Sequence, residues 1–84
     1  MTIREFEKKV WEVDTVRIVI RDRKTLKVST YRQKNAAKEN WNITGYLKNR
    51  ISPLIGDREV VVLDGKGEIP NGRTLLKTIR LSYN

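Results

Sequence analysis

The chain has 84 residues, 38% of them hydrophobic, no cysteine, no histidine and a net charge of +8. That length makes one domain with a modest core, and the apolar fraction is too high for a disordered basic tail. The missing residue types exclude a disulfide framework, a thiolate or imidazole metal site, a cysteine nucleophile and the usual histidine general base.

The charge is segregated. Between Arg17 and Arg50 lie ten basic residues and two acids, Asp22 and Glu39, so this stretch alone carries +8 and the remainder sums to zero. A localised positive field attracts a polyanion. Residues Arg4, Glu5, Glu7, Lys8 and Lys9 do not make a signal peptide. No apolar run reaches the roughly eighteen residues of a membrane span. The expected location is the cytoplasm, of the producing cell or of an infected host, with no membrane partner.

In chain order, Thr2 followed by Glu5 has capping-box spacing, and Ile3, Phe6 and Val10 share a face. A short helix is expected within residues 1–12, although Trp11-Glu12-Val13 would equally begin a strand. From Val13 to Arg21, Val16, Ile18 and Ile20 alternate with Arg17, Val19 and Arg21. After the polar Asp22 to Thr25 linker, Leu26, Val28 and Thr30 alternate with Lys27, Ser29 and Tyr31. Residues 13–32 thus read as a basic β-hairpin. Asn35 before Ala36-Ala37 reads as an N-cap, and Ala36, Ile43, Leu47, Ile51 and Leu54 form a stripe. That predicts a helix over 35–55, weakened at Gly45 and ending in a turn led by Pro53. The run Val60 to Leu63 predicts a strand covered on both faces. Asp64-Gly65 and Asn71-Gly72 predict turns, and Leu75 to Tyr83 a final strand, making 59–83 a second hairpin. The expected fold is a small α+β domain of (α)ββαββ order: a four-stranded, mostly antiparallel sheet with one main helix on one face.

A two-stranded basic ribbon fits the major groove of duplex DNA. The candidate contacts are Arg17, Arg21, Arg23, Lys24, Lys27, Tyr31, Arg32, Lys34, Lys38 and Arg50, with Tyr46, Lys66 and Arg73 as secondary contacts. Arginines suit phosphates through their planar fork, and Tyr31 would add base stacking. Eight phosphate contacts would give a log–log salt slope of roughly −7. The glycine-rich stretch from Asp64 to Arg73 lacks both GxxxxGK[ST] and GxGxxG and reads as turns. The pairs Asp57 with Glu59 and Asp64 with Glu68 have metal-compatible spacing, but no nuclease pattern surrounds them. No catalytic residue, metal or cofactor is expected.

The stretch from Val13 to Trp41, a basic hairpin before a helix opening Asn35-Ala36-Ala37-Lys38, resembles the strand-then-helix core of AP2-type and phage-integrase amino-terminal DNA-binding domains. The size and ββαββ order are similar to small phage-encoded inhibitors, anti-CRISPR proteins among them. The first resemblance implies DNA binding. The second implies a non-enzymatic inhibitor or adaptor whose basic face fills an acidic or nucleic-acid-binding groove on a protein. The expected function is non-catalytic nucleic-acid binding, DNA ahead of RNA, with the acidic protein surface as the alternative. A C-terminal strand at Leu81 to Asn84 would also offer an edge for a homodimer.

Overall fold

Thr2 starts the first helix in the computed structural model, which describes residues 1–84. Its hydroxyl accepts from the Glu5 amide at 3.2 Å and the Glu5 carboxylate accepts from the Thr2 amide at 2.8 Å. This reciprocal cap satisfies two of the free donors at a helix start. The helix, α1, spans Ile3–Asp14 and buries Ile3, Phe6, Val10 and Asp14 on one stripe. Strand β1, Arg17–Ile20, turns Ile18 and Ile20 inward. It pairs antiparallel with β2, Val60–Leu63, in the register Ile18↔Val62 and Val19↔Val61.

The sheet ends there. It has two strands, where four were expected, and the fold is three helices around one antiparallel pair. Residues 26–32 join no strand ladder. Their alternation is that of an extended chain docked on α1, with Leu26 and Val28 packed on the core and Lys27 and Ser29 outward. The backbone is tied there by Ile3 N–H to Leu26 O at 2.9 Å, Val28 N–H to Met1 O at 2.9 Å and Ser29 N–H to Leu54 O at 3.1 Å. β2 has one neighbour and is not a central strand.

The second helix begins at Ile43, eight residues after the expected Asn35 cap, because Asn42 takes the cap: its side chain accepts from the Gly45 amide at 2.7 Å. This helix, α2, runs as Ile43–Tyr46, a π-helical segment Leu47–Ile51, and Ser52–Ile55. The wide turn, marked by Ser52 N–H bonding Leu47 O, answers Pro53. An α-helical proline would collide with the carbonyl four residues back, and one extra residue per turn moves that carbonyl aside.

The C-terminal segment is a helix, α3, Leu76–Ser82. Its buried positions Leu76 and Ile79, with half-buried Tyr83, are spaced three and four apart. The expected strand and its dimerising edge are therefore absent. Two glycines of the loop before it owe their identity to close packing. A Cβ on Gly65 would overlap the Ser82 carbonyl, and one on Gly72 would overlap the Thr44 hydroxyl.

Candidate nucleic-acid interface

Between β1 and α2 lies a non-regular strap, residues 21–42, and most of the excess positive charge lies on it. Its inner side is fixed by one buried carboxylate. Asp14 follows Val10 on the apolar stripe of α1 and is fully buried. Its Oδ2 accepts from the Tyr46 hydroxyl at 2.7 Å and from the Tyr31 hydroxyl. Its Oδ1 accepts from the Ala37 amide at 2.9 Å and faces Arg50 Nη2 at 3.2 Å. Arg50 also donates from Nε to the Tyr31 hydroxyl at 2.7 Å and from Nη2 to the Asn35 carbonyl. Arg80 of α3 donates to the Asp14 carbonyl at 2.8 Å and the Ala37 carbonyl at 2.7 Å. With the Ala37 amide and carbonyl both held by side chains, residues 35–42 do not enter a helical ladder. No buried side-chain nitrogen or oxygen lacks a partner, which is what makes such a network stabilising. Burial first, then the hydrogen bond to Asp14, pushes the Tyr31 hydroxyl pKa up. Burial and the Asp14 charge raise that of Tyr46.

This network accounts for three of the sequence candidates. Tyr31 is 1% exposed, with its ring edge-on to Phe6 at 5.2 Å. Tyr46 is fully buried. The Arg50 guanidinium is held inside the fold. These side chains build the scaffold beneath the surface and present no face to a ligand.

Other cations are occupied by acids or by aromatic rings. Lys24 Nζ meets Glu7 Oε2 at 2.8 Å and donates to the Ile20 carbonyl at 2.7 Å, while the same Glu7 oxygen accepts the Ile20 amide at 2.8 Å. The pair closes the outer edge of β1. Arg21 stands 3.5 Å from Glu59 with both side chains largely in solvent. Arg17 lies over Trp11 at 5.5 Å and Tyr83 at 5.6 Å. The Tyr83 hydroxyl accepts the Arg17 amide at 2.8 Å and donates to Leu63 O at 2.7 Å, bridging the last rung of the sheet. Burial raises the Tyr83 pKa. Lys66 and Arg73 sit on the loop that closes onto Ser82 and Thr44, away from this network.

What remains on the strap is Arg23, Lys27, Arg32, Lys34 and Lys38, all exposed and none in an ion pair. Arg32 and Lys34 line a shallow groove with Thr30 and Gln33, and its opposite wall is Lys9 and Val13 of α1. Lys9 lies outside the basic stretch and the sequence reading missed it. The available signal was its position one turn before the Val13–Asp14 end of α1, against which the strap docks. A second depression, with Ser29 and Leu54, shares Thr30, Arg32 and Gln33. Residues 29–34 therefore form a ridge between two hollows.

No three acidic side chains converge to hold a metal. Asp64 Oδ1 is engaged by the Lys66 and Glu68 amides at 2.8 and 3.0 Å, which shapes the turn after β2. No helix is long and apolar enough to cross a membrane. Compared with known proteins, the chain matches no family model, no curated protein and no solved structure.

Proposed function

We propose that the protein is a non-catalytic nucleic-acid-binding module whose contact surface is the strap of residues 21–42 together with the adjoining face of α1. The observation that carries this reading is the sorting of the cations. Lys24, Arg50 and Arg58 are consumed by Glu7, Asp14 and Asp22, while Arg23, Lys27, Arg32, Lys34 and Lys38 face solvent unpaired on one segment tied to the core. Unpaired cations on a backbone tied to the core attract phosphates without first breaking an ion pair, and binding orders their side chains but not the strap. The ribbon-in-groove docking of the sequence reading has no counterpart, since no basic hairpin exists. Phosphate contact replaces base reading, and duplex DNA remains the ligand to test first. The compartment that goes with this reading is the cytoplasm.

The test is fluorescence anisotropy with a labelled duplex. The triple variant Arg32→Ala, Lys34→Ala, Lys38→Ala is expected to bind roughly tenfold or more weakly than the parent at low salt. Lys66→Ala with Arg73→Ala, which removes charge elsewhere, is expected to change affinity far less. Losses in proportion to the charges removed, three against two, would show that only net charge matters. No binding by the parent would move the search to an acidic protein surface.

A further inference from the structure

We infer that the groove between α1 and the strap seats one phosphodiester strand of the bound nucleic acid, with Lys9 as an equal partner of Arg32 and Lys34, and that it reads charge and not base identity. The inference rests on the proposed nucleic-acid function and specifies the site within it. Three cations from two separate elements meet across this groove. Between them lie a hydroxyl and an amide, Thr30 and Gln33, which donate to phosphate oxygens without carrying charge. The aromatic ring that borders the groove, Tyr31, is 1% exposed and tied through its hydroxyl to Asp14. It therefore offers no face for a base to stack on, and stacking is the usual grip on an unpaired strand. Both walls are held: α1 by its cap and core stripe, the strap by the Ala37–Asp14 bond and the Ser29–Leu54 bond. Glu12 lies one helical turn beyond Lys9 on α1, on the same face. It does not line the groove, so its charge opposes a bound phosphate only from the rim, at longer range.

The experiment uses the full chain and two labelled duplexes of unrelated sequence, over a series of salt concentrations. Lys9→Ala is expected to weaken both duplexes about equally, to the same extent as Arg32→Ala, and to reduce the salt slope by about 1. Lys9→Arg restores binding and Glu12→Gln strengthens it. Lys8→Ala, on the neighbouring face of α1 beside Trp11, leaves it unchanged. Circular dichroism melting of each variant separates lost contact from lost fold. Parental affinity in Lys9→Ala, with the strap triple variant still weakened, would overturn the groove while leaving the function standing. Parental affinity in both would overturn the function as well. A marked preference for one duplex would overturn reading by charge alone. Competition with inorganic polyphosphate is expected to displace the duplex. Failure to compete at matched phosphate concentration would show that the groove recognises more than phosphate charge.

Discussion

Asp14 is the residue on which the strap depends. Replacing it by alanine leaves Arg50 inside the fold without its counter-charge, and removing one partner of a buried pair costs about 3–5 kcal/mol. That is comparable with the whole stability of a domain this small. Urea unfolding of Asp14→Ala is expected to show a largely unfolded chain at low denaturant, whereas Tyr46→Phe, losing one hydrogen bond to a charged group, loses roughly 1–3 kcal/mol. The tyrosines also give a pH signature. Both hydroxyls bordering Asp14 have pKa values raised above the ordinary value of 10.0. Their stabilisation is complete below that pH. It is lost as pH rises through 10.0, where the unfolded chain ionises first, towards the higher values of the folded state. Unfolding midpoints should fall above pH 10, and fall less in the double Tyr→Phe variant. Glu5 acts at the other end. The Thr2 amide, first, and the Thr2 hydroxyl hold its pKa below the usual 4.5, so its contribution is present above that value and disappears as pH drops below it.

At the level of elements, helix ends carry the clearest tests. Thr15 closes α1 in the left-handed region, φ 54°, with its amide on Trp11 O. A β-branched residue there is strained by roughly 1 kcal/mol, so Thr15→Gly should raise the melting temperature. Gly65→Ala should lower stability by about 1–3 kcal/mol or more, because the added methyl meets the Ser82 backbone. The same elements show how far the sequence could be read. The Thr2/Glu5 cap, β1 and β2 were legible because each rests on local chemistry: a cap pair, an alternation, a β-branched run. Residues 26–32 were misread because period-two burial marks any extended chain with one side against a core, and a helix serves as that core as well as a sheet does. Ala36-Ala37 favours a helix by propensity, but side chains distant in sequence, Asp14 and Arg80, take the Ala37 peptide groups. At the C-terminus, exposed Leu75 and Leu81 imitated a strand pattern and masked the helical spacing of Leu76, Ile79 and Tyr83. Asp14 itself had a signal, a carboxylate on the apolar stripe of α1 four residues after Val10.

Across the whole molecule, a +8 chain separates its cations by task. Those facing Glu7, Asp14, Asp22 and Glu59 join the strap, strands and helices together. Of those left over, the five on the strap and Lys9 lie alongside α1, from Lys27 opposite Thr2 to the Ala37–Asp14 contact, while Arg4, Lys8, Lys48, Lys66, Arg73 and Lys77 are exposed and unpaired on other parts of the surface. The sequence marked the stretch that holds the charge, but not the division within it, because ion pairs such as Arg50 with Asp14 span 36 positions of chain. That division changes a measurable number. All eight cations of the sequence reading in contact with phosphate would give a slope of roughly −7, whereas the five free strap cations with Lys9 give about −5.

The most direct test is the affinity of the parent protein for a labelled DNA duplex, measured from low to near-physiological salt. Binding is expected to weaken linearly on a log–log plot with a slope of about −5 and to remain detectable near physiological salt. No binding at low salt, or a slope close to zero, would contradict it.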